Sequence, residues 1–314
     1  MINIYRTDDN VIREFTEYED QTWIRMTKPS VEEIQNVADK FSLDPADVRA
    51  ALDDEESARI ALEDNYTLIL VDIPMSEVRN NTEAYTTFPL GIILTHGHII
   101  TVCAKETPIL DYFVKSTVRD FSTKKRMRFL YQILYRTCVT YQMYLRNINR
   151  RRTQIEEHIN EEMEDSDLIG LHELESNLVY FATSLRGNGA VLERLTRYER
   201  IKQYPEDKDL LEDVMIENKQ AIEMTAIYRD IINGTRELMS SVLDNRLNNT
   251  MKNLTSITIV MAIPTIVSGL YGMNLKAEGM PFALNTWGFG IVCGIILLMC
   301  GITAWVLRKI KLIT

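Results

Sequence analysis

Two long stretches without charge near the C-terminal end constrain this chain of 314 residues more than any other feature. Residues 253–275 and 279–307 contain no Asp, Glu, Lys or Arg, although these types make up 25% of the sequence. The stretches include the apolar segments 254–273 and 287–307, each close to the roughly 20 residues that a helix needs to cross a bilayer. The sequence therefore predicts two transmembrane helices, joined by a short loop at 274–286.

The distribution of basic residues predicts the orientation of this pair. Trp287 and Trp305 bracket the second segment, as aromatic residues do at membrane interfaces. The short loop contains one basic residue, Lys276, and the tail 308–314 is basic. The basic residues that flank the pair are Arg246, Lys252, Arg308, Lys309 and Lys311. Because Lys and Arg are enriched in cytoplasmic loops, we expect a multi-pass protein of the cell (plasma) membrane with both termini in the cytoplasm.

Residues 1–120 mix the signals of strands and helices, which predicts a cytoplasmic α/β domain with a mixed or largely antiparallel sheet. Ser30 and Glu33 form a capping box before one helix, and Asp44-Pro45 begins a second. The segments that read as strands, rich in β-branched and aromatic residues, are 2–6, 11–16, 23–27, 59–63, 66–73, 87–95 and 99–104.

Residues 121–204 show only the helical period, which predicts two long antiparallel helices. The break between them falls near Ser166, which we expect to cap the second helix. After Pro205 the helical pattern continues until Pro264, so a stalk helix at 205–253 is expected to continue into the first membrane segment. Its apolar residues recur at roughly heptad spacing, which favours a coiled-coil seam.

One face of the first membrane segment is polar or small, although the opposite face is apolar. The two helices of one hairpin cannot by themselves shield such a face from lipid. The polar face must therefore contact other helices or a water-filled lumen, and both interpretations remain open. Neither span contains a charged side chain, so a lumen here would hold an ion together with its water. The residues of this polar stripe are Asn248, Met251, Thr255, Thr258, Ala262, Thr265 and Gly269.

The first span ends in Tyr271-Gly272-Met273-Asn274, and Met280-Pro281 follows in the loop. Together with the stalk and the second span, this motif resembles the YGMN signature of the CorA family of magnesium channels, and the resemblance covers the whole chain. It implies a funnel-shaped homopentamer in which the first transmembrane helices line the pore and the second form an outer ring. It also implies a cytoplasmic α/β/α sandwich, followed by long helices.

The resemblance places the selectivity filter at Gly272, Met273 and Asn274. Mg²⁺ holds its water tightly, so a ring of neutral oxygens can bind the hydrated ion through hydrogen bonds to that water. The backbone carbonyl of Gly272 and the amide carbonyl of Asn274 offer such oxygens. Thr265 and Asn248 are candidates for further hydrated-ion stations. Met251 and Leu254 are candidate hydrophobic constrictions that gate by dewetting.

Channels of this family close when Mg²⁺ binds between neighbouring cytoplasmic domains. The matching positions here are Asp53 and Asp54 in the α/β domain, and Asp213 and Glu217 in the stalk. The resemblance therefore implies that Mg²⁺ is both the transported ion and a regulatory ligand. Loss of the ion would leave repelling carboxylates and loosen the closed packing. An ordinary solvated face remains the alternative for each of these acids.

Several classes of function are disfavoured. The net charge of −10 argues against a nucleic-acid partner. The sequence contains no GxxxxGK[ST] loop that would indicate nucleotide binding, and no arrangement of catalytic residues that would indicate an enzyme. The outer loop departs from the family pattern, because Phe282-Ala283 replaces a usual Glu. Met273, where a zinc-transporting branch usually has Ile, favours magnesium, with cobalt or nickel as further substrates. The alternatives are a zinc or other divalent transporter of the same fold, or a non-conducting membrane scaffold.

Overall fold

The structure is a computed structural model that describes residues 1–9, 11–79, 82–115, 118–159, 165–198, 204–274, 279–282 and 284–310. It divides into two compact units, Met1–Arg236 and Glu237–Thr314. The strands are β1 (Ile2–Asp8), β2 (Val11–Phe15), β3 (Trp23–Thr27), β4 (Arg59–Leu62), β5 (Thr67–Arg79), β6 (Thr82–Leu94) and β7 (Ile99–Cys103). The helices are α1 (Val31–Phe41), α2 (Pro45–Ala50), α3 (Pro108–Lys115), α4 (Arg126–Ile159), α5 (Asp165–Thr196), α6 (Pro205–Tyr271) and α7 (Gly288–Lys309).

The strands form one seven-stranded mixed sheet in the order β2-β1-β3-β7-β6-β5-β4. All neighbours are antiparallel except β3 and β7, which run parallel with Trp23 opposite Ile99. Each predicted strand is present, but β5 and β6 extend further than expected and pair along a long hairpin, from Thr67↔Leu94 to Arg79↔Thr82. The polar residues of the hairpin's outer part weakened the alternation from which strands were predicted.

Helices cover both faces of the sheet, which confirms the predicted α/β/α sandwich. Along β5, Ile69, Val71 and Ile73 contribute to the core beneath α3, α4, α5 and the start of α6. Leu68 and Leu70 point the other way, into the core beneath α1 and α2. This alternation follows from the two-residue period of a strand that is buried on both faces.

Helix starts follow the local sequence signals closely, with two exceptions. The Ser30–Glu33 capping box is present, and Asp44 accepts a hydrogen bond from the backbone N–H of Ala46. The prediction for Ser166 is wrong, because α5 begins at Asp165 and Ser166 lies inside its first turn. An N-cap residue needs extended backbone before the first helical residue. Helix α3 was not predicted, although Thr107-Pro108 is a typical start signal for a helix.

The apolar seam of α6 is used within the chain over its first turns. Leu211 and Val214 belong to the core beneath the sheet, and Ala221 is fully buried. The predicted seam is therefore buried over this part of α6, and its partners are helices of the same chain. These side chains pack against α4 and α5 of the same chain, and Asn218 donates a hydrogen bond from Nδ2 to the carbonyl of Leu185 (3.1 Å).

Side chains complete the hydrogen bonding at one edge of β5. Strand β4 pairs with β5 only as far as Leu70, so the next residues have no strand on that side. The side-chain amide of Asn188 on α5 takes the place of the missing strand. Its Oδ1 accepts a hydrogen bond from the N–H of Asp72 (2.8 Å), and its Nδ2 donates one to the carbonyl of Asp72 (2.7 Å). The hydroxyl of Tyr141 donates to the same carbonyl (3.1 Å). These contacts join α4 and α5 to a strand edge that would otherwise lack partners.

We expect replacement of Asp72 with Asn to stabilise the protein near neutral pH. Burial raises the pKa of the Asp72 carboxyl above its ordinary 3.8, and contact with Ser184 only partly opposes this. A carboxyl whose pKa is raised on folding stabilises the folded state below its unfolded pKa, and this contribution is lost as pH rises through the folded pKa. Asp72→Asn should therefore raise the melting temperature at pH 7 by about 2–4 °C, the shift that roughly 1 kcal/mol produces.

Thermal unfolding of the detergent-purified full chain at pH 7 and near the ordinary pKa of 3.8 measures this effect. The difference between Asp72→Asn and the parent should shrink at the lower pH, where the carboxyl is protonated. Asp209→Asn, an exposed position on α6, is the matched control and should change neither curve. A lower melting temperature for Asp72→Asn at pH 7 would contradict the account.

Candidate ion pathway

Within the second unit, α6 packs against α7 along one apolar face. Both helices are long and apolar enough to cross a membrane. Residues of α6 at intervals of four and three are buried or half-buried, whereas most of their neighbours are exposed. The helix period places these residues on a single face. They are Ser256, Val260, Ile263 and Val267, and their counterparts on α7 include Val292, Ile296, Cys300 and Leu307.

A proline in this face explains one contact between the two helices. Pro264 lies inside α6 and has no N–H, so the carbonyl of Val260, four residues earlier, lacks its usual helical donor. The thiol of Cys300 on α7 donates to that carbonyl, with Sγ 3.7 Å from the oxygen. A buried carbonyl without a partner is costly in an apolar environment, so this thiol helps to fix α7 at the proline.

The polar stripe lies on the side of α6 away from α7. At about 100° per residue, Thr258 and Thr265 lie about 140–180° around the helix from Val260 and Val267. The stripe residues are exposed, apart from the half-buried Ala262. The hairpin therefore covers the apolar face of α6 and leaves the polar one uncovered. A Cβ built at Gly269 would meet nothing within 4 Å.

The threonines of the stripe direct acceptors outward. Thr255, Thr258 and Thr265 donate from Oγ1 to the carbonyls four residues earlier, at 2.8, 2.8 and 3.1 Å. This uses the hydroxyl proton inside the helix and leaves the remaining lone pairs of each oxygen free to accept. The water shell of a cation presents O–H donors, so the stripe has the chemistry that a hydrated cation requires.

Helix α6 ends at Tyr271, immediately before the candidate filter. The N–H of Gly272 still donates to the carbonyl of Ser268 (2.9 Å), and that of Met273 donates to Leu270 (3.4 Å). The carbonyls of Ser268 and Leu270 are thus occupied, whereas a carbonyl beyond the helix end, such as that of Gly272, has no intrahelical donor and is available to a ligand. Met273 and Asn274 are both exposed in the single chain. The helix end thus presents backbone and amide oxygens at one site.

The part of the membrane-side stretch of α6 that is farthest from the filter contains Asn248, Met251 and Leu254. All three are exposed, and more than half of the surface of Met251 and of Leu254 is accessible. Large apolar side chains that project from a polar stripe would narrow a path shared by several copies of α6. Within one chain they contact no core.

One chain does not bring the four candidate regulatory acids together. Ala51, just before Asp53 and Asp54, is part of the core beneath α1 and α2. Leu211 and Val214, beside Asp213, are part of the core on the other face of the sheet. Among the residues that the structure describes, no group of three or more His, Cys, Asp or Glu side chains is arranged to hold a metal ion. A site that uses both pairs of acids would need two copies of the chain.

The two stalk acids differ in their surroundings. Glu217 is half-buried and is held by Gln142 of α4, whose Nε2 donates to Oε2 (2.5 Å) and to the backbone carbonyl (3.2 Å) of Glu217. Asp213, one turn earlier, is exposed. Burial, followed by the charges of Glu217 and Asp213, raises the pKa of Tyr135. Sequence analysis missed Gln142, because a glutamine inside a long helix carries no distinguishing signal.

The described part of the loop after the filter is held at both ends. The hydroxyl of Tyr271 donates to the carbonyl of Pro281 (2.7 Å). At the other end, the carbonyl of Phe282 lies so close to Gly288 that a Cβ there would overlap it. The N–H of Asn285 donates to that same carbonyl (3.2 Å). The expectation that Lys276 lies in an outer loop falls outside the described residues.

Comparison with known proteins identifies the family. The family described as "CorA-like Mg2+ transporter protein" matches residues 18–309. A cobalt/magnesium transport protein CorA of Methanocaldococcus jannaschii is 28% identical over 295 residues, covering 91% of this chain and 90% of the relative. A protein of the same description from Thermotoga maritima is 25% identical over 294 residues, covering 92% and 82%.

The fold agrees with this assignment. The complete structure of the CorA magnesium transporter from Methanocaldococcus jannaschii superposes with a TM-score of 0.83, covering 98% of each chain at 24% identity. It shares the α/β domain, the long helices and the two apolar C-terminal helices. Since the family match extends over most of the sequence, from just before β3 to the end of α7, this chain is a member of the family of CorA-like Mg²⁺ transporter proteins.

Proposed function

We propose that this chain forms a channel through which hydrated Mg²⁺ enters the cell. The observation that carries the proposal is the polar stripe of α6, which faces away from α7 and is left uncovered by the hairpin. In a bilayer such a stripe is unfavourable against lipid. Several copies of α6 around a common axis would direct it into a shared lumen. The two relatives described as cobalt/magnesium transport proteins support the transport of Mg²⁺.

The channel is proposed as a homopentamer in the plasma membrane, with both termini in the cytoplasm. Segments 254–273 and 287–307 span the bilayer, and the loop 274–286 lies outside. The domain 1–120, the helices 121–204, the stalk 205–253 and the tail 308–314 lie inside. This orientation places Arg308 and Lys309 on the cytoplasmic side, as the distribution of basic residues favours.

Ion recognition is proposed to use neutral oxygens only. Gly272, Met273 and Asn274 of every subunit form the filter, in which carbonyl oxygens accept hydrogen bonds from the water shell of the ion. Asn248 and Thr265 repeat this chemistry further inward, and Met251 and Leu254 narrow the path. Entry is driven by the membrane potential, which contributes about 4.6 kcal/mol per divalent ion at 100 mV.

Mg²⁺ flux into liposomes that contain the purified protein tests this function. Influx should rise with an inside-negative potential and should be accompanied by smaller Co²⁺ and Ni²⁺ fluxes. A zinc transporter of the same fold would instead carry Zn²⁺ that excess Mg²⁺ does not inhibit. A non-conducting scaffold would give the same signal as empty liposomes, and either result would overturn the proposal.

Closure is proposed to follow Mg²⁺ binding between neighbouring cytoplasmic domains. Asp53 and Asp54 of one subunit would face Asp213 and Glu217 of the next, since in one chain the apolar residues that flank the two pairs belong to the cores on opposite faces of the sheet. Asp213 is the better candidate ligand of the stalk pair, because its carboxylate is exposed, whereas the carboxylate of Glu217 already accepts a hydrogen bond from Gln142.

We expect Asp213→Ala to weaken inhibition by internal Mg²⁺. Removal of one carboxylate per interface lowers the affinity of an oxygen-ligand site, so inhibition should require on the order of tenfold more Mg²⁺, about 1.4 kcal/mol. The flux, measured at increasing concentrations of Mg²⁺ enclosed in the liposomes, gives the concentration that inhibits each variant by half. Asp209→Ala, one turn earlier on α6, is the matched control. Equal inhibition of Asp213→Ala and the parent would remove Asp213 from the site.

A further inference from the structure

Tyr271 is the last residue of α6, and its side chain contacts the loop that follows the helix. Its phenolic hydroxyl donates a 2.7 Å hydrogen bond to the backbone carbonyl of Pro281, ten residues further along the chain. The candidate filter begins at the next residue, Gly272. This hydrogen bond therefore connects the helix end that carries the filter to the loop that follows it.

The acceptor side of this contact is fixed to the other helix. Phe282, the residue after Pro281, has a left-handed backbone conformation with φ of 63°. Its carbonyl lies against the bare Cα of Gly288, the first residue of α7, and accepts from the N–H of Asn285 (3.2 Å). Non-glycine residues adopt positive φ only when surrounding contacts hold them there. The position of Pro281 is thus set from α7.

Among the described residues of the loop, close packing against α6 is absent. A cavity of about 550 Å³ separates the last turns of α6 from the first turns of α7, and Tyr271, Phe282 and Phe289 are among its lining residues. Pro281 and Phe282 are exposed. Loss of the hydrogen bond would consequently not be compensated by neighbouring apolar contacts.

We propose that Tyr271 is a positioning residue of the ion-selective site. It holds the end of α6 at a fixed distance from the loop, and so fixes the direction of the carbonyl of Gly272 and the amide of Asn274. This inference rests on the proposed function and adds to it a specific hydrogen bond on which the affinity for the hydrated ion depends. Movement of a ring of acceptors by a fraction of an ångström weakens every hydrogen bond to the water shell.

The test compares Mg²⁺ influx kinetics of two independent changes to this hydrogen bond. Tyr271→Phe removes the donor and keeps the ring. Replacement of the amide between Pro281 and Phe282 by an ester weakens the acceptor and changes no side chain. Each should raise KM for Mg²⁺ about three- to tenfold, the range that the loss of one hydrogen bond produces, with a smaller change in the maximal rate. Tyr180→Phe, at an exposed tyrosine of α5, is the control.

The two changes should not be additive, because they act on the same contact. Combination of Tyr271→Phe with the ester should raise KM no further than the larger single change. An unchanged KM in both single variants, or fully multiplicative effects in the combination, would overturn the proposal while the parent still conducts. Failure of the parent itself to carry Mg²⁺ would instead overturn the proposed function, so the two failures are distinguishable.

Discussion

Replacement of Asn274 with Ala is expected to lower Mg²⁺ influx by at least about a hundredfold. Every subunit would lose an amide carbonyl from the same ring, and hydrogen bonds that involve a charged partner contribute roughly 1.5–3 kcal/mol each. A hydrated Mg²⁺ exchanges its water slowly and binds through that water, so the filter has no direct metal ligand with which to compensate. Because the whole ring is altered at once, the loss should far exceed that of a single hydrogen bond.

The initial rate of Mg²⁺ entry into liposomes, at matched protein content, measures this effect. Asn253→Ala is the matched control, because Asn253 is an exposed asparagine of α6 on the side of α7, about 160° from the stripe. It should retain most of the flux. Asn274→Gln keeps the amide on a longer side chain and should fall between the two. Parent-like flux in Asn274→Ala would show that the amide ring is not the filter.

Replacement of Asn188 with Ala is expected to cost about 2–4 kcal/mol of folding free energy. Both hydrogen bonds of its amide go to the backbone of Asp72, so the change leaves a buried N–H unpaired and removes one of two donors to the carbonyl. An unsatisfied buried polar group costs roughly 1–3 kcal/mol. At about 2–4 °C per kcal/mol, the melting temperature of the first unit should fall by about 4–16 °C.

Trp23 is fully buried in the sheet, whereas Trp287 and Trp305 are exposed, so the change in tryptophan fluorescence reports on the first unit. Asn177→Ala is the matched control on the same helix. Asn177 is 7% exposed, but its amide nitrogen makes no hydrogen bond among the described residues. It should shift the melting temperature by less than half as much as Asn188→Ala. Equal shifts would show that the edge contact of Asn188 adds little beyond packing.

The fold was predictable because short-range signals and burial agreed. Strand β5 alternates between two cores, and the Ser30 capping box starts α1 where the sequence indicates. The prediction failed where a side chain replaces a strand. Nothing in the sequence around Asn188 indicates that its amide completes the edge of β5, because that contact joins residues 116 positions apart. The partners of the α6 seam could not be predicted for a related reason, because periodicity shows which face of a helix is buried but not which elements that face packs against.

The candidate site was predictable to the level of a helix face. The spacing of Thr258, Thr265 and Gly269 placed them on one face of α6, and the structure leaves that face exposed on the side away from α7. The sequence could not indicate that Cys300 supplies the donor missing at Pro264, or that Tyr271 reaches Pro281. Both contacts depend on the separation of two helices, which local spacing does not determine.

The central claim is that the uncovered stripe of α6 lines a water-filled path, and cysteine accessibility tests it most directly. In a background where Cys293 and Cys300 are replaced by Ala, single cysteines are placed at Thr258 on the stripe and at Ile257, an exposed residue about 100° away. A charged, membrane-impermeant thiol reagent should modify Thr258→Cys and abolish its Mg²⁺ flux, and should leave Ile257→Cys unmodified and conducting. Modification of Ile257→Cys alone, or of neither cysteine in a conducting protein, would contradict the account.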